Sequence, residues 1–112
     1  MKLVDKDTYR EIETILENAY QPDLPDYIKL SLYELNNFFS GTIHYEFMKR
    51  YYYERDQYKY RYAKKEALFK KIYRDLYVEE PTLYQIKKEV IYKAAMIFYK
   101  NGVLKWLMQK YK

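Results

Sequence analysis

Thr82, Tyr84, Gln85, Lys87, Lys88 and Tyr92 lie within one short stretch, and each carries a group that hydrogen-bonds to nucleobase edges or phosphates. Gln pairs bidentately with adenine, and Lys donates to guanine and neutralises phosphate. Glu89 alone opposes them in charge. This is the chemistry of double-stranded DNA recognition; a helical hairpin with a solvated basic face would carry the same residue types. Enzymatic chemistry has much less to work with. His44 is the single histidine and stands without a nucleophile to activate, so it reads as a surface or helix-start residue. The adjacent acids Glu79 and Glu80 open a helix, where carboxylates favour the positive end of the dipole. Without cysteine there is neither thiolate chemistry nor a disulfide framework, and a zinc site is not expected. No catalytic residue, metal or cofactor is assigned.

The elements that must position the polar cluster are legible from spacing. Ile72 and Leu76 sit one turn apart on one helix, and Leu83, Ile86, Val90, Ala94 and Ile97 recur at three- and four-residue steps on a second. Between them lies Val78-Glu79-Glu80-Pro81. Proline lacks an N–H and has a fixed φ, so Pro81 marks the start of the second helix. Two amphipathic helices about a turn of this length predict a helix-turn-helix over about residues 67–100, whose second helix enters the major groove. That helix closes at Asn101-Gly102.

The stretch resembles the helix-turn-helix at the carboxy end of sigma factors, which reads the upstream promoter element. It is also similar to phage transcriptional regulators of the RinA and ArpU type. The shared pattern is Ile72, Leu76, Val78, Thr82 and the basic pair Lys87-Lys88, and residues 82–91 resemble the recognition helix of those regulators. Upstream, residues 46–53 resemble the aromatic segment that precedes their motif. Tyr77 stands where that family usually has Gly, and Glu79 where it has a capping Ser. The resemblance implies a transcriptional regulator encoded by a phage or mobile element, acting on DNA and in one version on RNA polymerase.

Composition agrees with an all-α single domain of about five helices over residues 1–112. Gly and Pro number two and three, and Tyr reaches seventeen. Tyr buries an apolar body and keeps a polar tip wet, which suits a core boundary or an interface. Residues 1–42 hold four Lys/Arg and eight Asp/Glu and predict an acidic helical hairpin, with helices over 5–20 and 26–39. In the second of these, Ile28, Leu32, Leu35 and Phe39 face the core and Glu34, Asn36 and Asn37 face out. Residues 43–112 hold seventeen Lys/Arg and eight Asp/Glu, and a basic half of this kind predicts a polyanion-binding face. Within it a helical pattern runs from Ile43 to Leu76 with a break expected near Asp56-Gln57. Its interleaved Tyr, Lys and Arg over 51–65 read as half-buried rings beside solvated cations, or as a grip on single-stranded nucleic acid.

On the DNA-binding reading, Lys64, Lys65, Lys70, Lys71 and Lys93 neutralise phosphates while Thr82, Tyr84, Gln85 and Lys88 face the groove. A last helix holds too many apolar residues for one stripe, so Leu104, Trp106, Leu107 and Met108 are expected to meet a partner, a second copy included. With no signal peptide and no apolar run of membrane length, the expected location is the cytoplasm and no membrane contact is expected. The alternative function is a small helical phage protein that modulates a host protein, RNA polymerase or a defence factor, without binding DNA. The Tyr surplus and the acidic half favour it.

Overall fold

The computed structural model describes residues 4–19, 21–54 and 65–104. These form five α-helices and no strand: α1 (Lys6–Glu17), α2 (Asp26–Phe39), α3 (Ile43–Met48), α4 (Lys65–Asp75) and α5 (Glu80–Lys100). The described residues form a single all-helical globule with a helix-turn-helix, α4 to α5, in the C-terminal half.

Three of the helix starts have a local cause. Asp5 accepts the Thr8 N–H at 2.7 Å and so satisfies a free donor of α1. The Thr42 hydroxyl accepts the Tyr45 N–H and opens α3. Pro81 occupies the first turn of α5, where its missing N–H costs nothing. Glu79 holds the cap position of α5 with extended backbone, but its side chain makes no capping bond.

α5 is the hub. Leu83, Ile86, Val90, Ile91, Ala94, Ala95, Ile97 and Phe98 are all buried, and the helix packs on α1, α2, α3 and α4. Ile12 and Leu16 of α1, Leu32, Leu35 and Phe39 of α2, Phe47 and Met48 of α3, and Leu68, Phe69 and Ile72 of α4 complete one core. Burying each such side chain stabilises the fold by about 1.5–3 kcal/mol, before the cost of ordering the chain. The far end of α5 is clamped to α2 by polar groups. Asn101 donates to Ser31 and to Glu34, each at 3.0 Å, and the Lys100 ammonium reaches Glu34 at 2.6 Å. The Lys100 and Asn101 bonds hold the Glu34 carboxyl below its ordinary pKa.

Several expectations are corrected here. The pattern that begins at Ile43 does not continue as one α-helix. It widens after Met48 into a π turn over Lys49–Tyr53, closed by the Glu54 N–H on the Lys49 carbonyl at 2.7 Å. Tyr51 and Tyr52 both point into the core there rather than standing half-buried. The break expected near Asp56-Gln57 lies outside the described residues. Asn36 does not face water alone: its Oδ1 accepts the Tyr53 hydroxyl at 2.6 Å. Glu34, likewise expected to face out, is held by the clamp on α5. Leu104, expected at a partner surface, is buried at 4 % exposure, because the turn at Gly102 folds the chain back onto Phe98. Trp106, Leu107 and Met108 lie outside the described residues.

α4 and α5 end in the same way. After α4 the Val78 N–H reaches the Tyr73 carbonyl and the Tyr77 N–H the Arg74 carbonyl; after α5 Val103 and Gly102 make the equivalent bonds to Phe98 and Tyr99. These are Schellman turns, which need a residue at positive φ. Gly102 supplies it at φ 79°, but Tyr77 must adopt φ 58° with its ring 95 % exposed. A left-handed non-glycine residue costs about 1–2 kcal/mol, and glycine's extra freedom in the unfolded chain returns part of that. Tyr77→Gly is therefore expected to raise stability by roughly 0.5–1 kcal/mol in urea unfolding. A destabilised variant would mean that the ring, and not the backbone, decides this turn.

Candidate nucleic-acid interface on the helix-turn-helix

The turn between α4 and α5 is four residues, Leu76 to Glu79, and Tyr77 reverses the chain in it. Val78 tucks against the core beneath. α5 then runs against the body with one side of its N-terminal half exposed. Leu83, Ile86 and Val90 face in, while Thr82, Tyr84, Gln85 and Lys88 are exposed. Tyr84 also packs on Phe69 of α4 with ring centroids 4.5 Å apart, which pins the two helices of the motif together. Tyr92 lies one turn beyond Lys88 on the same face and is exposed.

Lys87 is not on that face. It points toward α1 with its side chain 17 % exposed, 3.4 Å from Glu13. Its ammonium also lies over the rings of Tyr51 at 5.2 Å and Tyr9 at 5.7 Å. Glu13 in turn accepts the Tyr52 hydroxyl at 2.8 Å. The expected contact to DNA is corrected accordingly: Lys87 ties α5 to α1 and the π turn. Burial, followed by the nearby Glu13 charge, raises the phenol pKa of both Tyr9 and Tyr52.

The expected phosphate contacts are spread unevenly. Lys70 is exposed on α4. Lys65 is paired with Glu17 at 2.8 Å and Lys71 with Asp75 at 2.8 Å. Lys93 lies over the Phe38 ring at 4.0 Å. Lys64 is outside the described residues. His44 stands at the start of α3 as expected, but sequence reading missed its partners. Its Nε2 meets Glu89 at 2.7 Å and its ring stacks on Phe39 at 4.9 Å, so it joins α2 and α3 to α5. The bonds from His44 and then Gln85 lower the Glu89 pKa. No short-range signal marks this pair, since its members are 45 positions apart.

Charge qualifies the picture. The described residues hold thirteen Lys/Arg and fifteen Asp/Glu, so the chain's basic excess resides in residues 1–3, 55–64 and 105–112. Among the described residues no group of acids and histidine could hold a metal ion, and no helix is long and apolar enough to cross a membrane.

No family model, curated protein or solved structure matches the chain.

Proposed function

We propose that the chain is a sequence-specific double-stranded DNA-binding transcriptional regulator of phage or mobile-element type. It reads the major groove with the N-terminal half of α5. The observation that carries this reading is the motif itself. A four-residue turn with a left-handed residue joins α4 to an α5 whose Thr82, Tyr84, Gln85 and Lys88 are turned to solvent. The left-handed residue is Tyr77, the position at which the sigma-like pattern usually carries Gly. Base readout falls to Gln85 and Lys88, and the first phosphate contacts to Lys70 and Lys93. RNA polymerase is the natural second partner of such a regulator.

The test is binding to duplex DNA from the gene's own neighbourhood across a salt series, beside a random duplex. Affinity should fall steeply with salt and be tighter on the neighbourhood DNA. Gln85→Ala combined with Lys88→Ala should cost specific binding about 2–4 kcal/mol while leaving the helical signal intact. Lys87→Met, which removes an inward-facing cation, should leave the affinity of the folded protein unchanged. If the double variant binds like the parent, α5 is not the reading helix.

A second reading rests on a different surface. Leu30, Tyr33 and Phe38 of α2 and Met96 and Tyr99 of α5 are large apolar side chains left exposed. With a described body richer in acids than bases, they suit a module that binds a host protein such as RNA polymerase or a defence factor. Salt-insensitive binding to such a protein, with no affinity for DNA, selects this reading over the first.

A further inference from the structure

α5 lines a groove of about 810 Å³ together with Phe38, Phe39 and His44 and with Val4 and Tyr9. That volume lies within the roughly 300–1,000 Å³ range of small-ligand sites. Its charges are not balanced. The Glu89 carboxylate is taken up by His44 at 2.7 Å and by the Gln85 amide at 3.3 Å. Lys88 and Lys93 remain, and neither makes an ion pair among the described residues. Phe38 is 57 % exposed, with the Lys93 ammonium over one side of its ring at 4.0 Å, and Tyr92 also presents its ring, so two aromatic side chains stand beside the two cations. A cationic ligand is repelled here, and an aliphatic one leaves the rings uncovered.

We propose that this groove binds an aromatic anion, a planar ring bearing a phosphate or carboxylate. The ring packs on Phe38 and Tyr92, and the anionic group is held by Lys88 and Lys93. Gln85, Lys88 and Tyr92 also belong to the DNA-reading face proposed above, so ligand and duplex exclude one another. This last clause rests on that reading; the groove itself does not.

The probe is the fluorescent aromatic sulfonate anilinonaphthalene sulfonate, titrated into the full chain beside the neutral phenylnaphthylamine. One site is expected for the sulfonate, with Lys88→Ala and Lys93→Ala each weakening it about tenfold, equivalent to 1.4 kcal/mol. Lys70→Ala, on another face, should bind like the parent. Adenosine monophosphate or indole carboxylate should displace the probe, and whichever does so more strongly names the preferred anion. Equal binding of the neutral probe, indifference to both lysine variants, or displacement by neither anion overturns the proposal. Duplex DNA added last separates the two readings. If DNA and the sulfonate bind simultaneously, the groove stands and the placement of DNA on Gln85 and Lys88 falls. If DNA binds and no aromatic anion does, the groove falls alone.

Discussion

Raising the pH should unfold this protein through its tyrosines. Burial raises the phenol pKa of Tyr9, Tyr52 and Tyr53, with the Glu13 charge reinforcing it at Tyr9 and Tyr52 and the nearby Tyr45 at Tyr53. An unfolded chain ionises these phenols near pH 10. Below that value both states hold their protons, and the contribution to stability is fully present. Above it the unfolded state loses protons that the folded state keeps, so stability falls as pH rises toward the folded pKa values. The slope is about 1.4 kcal/mol per pH unit for each of the buried Tyr52 and Tyr53 and less for the partly exposed Tyr9, whose charge water screens, so about 3 for the three together. Set against a typical total of about 5–15 kcal/mol, that is enough to unfold the domain within roughly two to three pH units above 10. Near-ultraviolet absorbance of phenolate, followed together with helical circular dichroism, tests this. The phenolate signal should include a delayed component that appears only as the helix disappears. A single titration with full helicity retained would refute it.

Phe47→Ala should be the most damaging single truncation. The ring is completely buried. It stacks on Tyr51 at 5.1 Å and meets Tyr52 at 5.9 Å and Phe69 at 6.1 Å edge-on. Deleting a buried phenylalanine costs about 3–5 kcal/mol, and these aromatic pairs place the loss toward the upper end. Phe69 is the α4 member of the set, so the cavity also loosens the first helix of the motif. Urea unfolding should show a midpoint far below the parent's at an unchanged slope. Phe38→Ala, at an exposed ring, should cost under about 1 kcal/mol. Similar losses for the two would mean that the aromatic centre does not hold α3 to α4.

Much of the scaffold is visible in the sequence because it follows from local rules. The Leu83-Ile86-Val90-Ala94-Ile97 stripe, Pro81 at a helix start and Gly102 after a helix end each depend on neighbours within a turn or two. The turn between α4 and α5 is marked by Pro81 and the break in spacing, but its left-handed residue is not, since nothing in a tyrosine announces positive φ. The π turn escapes periodicity because one widened turn shifts every later side chain on that helix, placing Tyr51 and Tyr52 inside together. Lys87 was misread for a different reason. It sits at the edge of α5's apolar arc, and the partner that draws it inward, Glu13, is distant in sequence. Charge says which residues are costly to bury, but not which acid will come to meet them.

The hub position of α5 has a consequence for how the chain is made. α1, α2 and α3 are synthesised first, yet the surfaces they bury are completed by a helix that ends at Lys100. Their apolar faces therefore wait, uncovered, while the rest of the chain emerges from the ribosome. Chaperone demand should peak just before α5 is released.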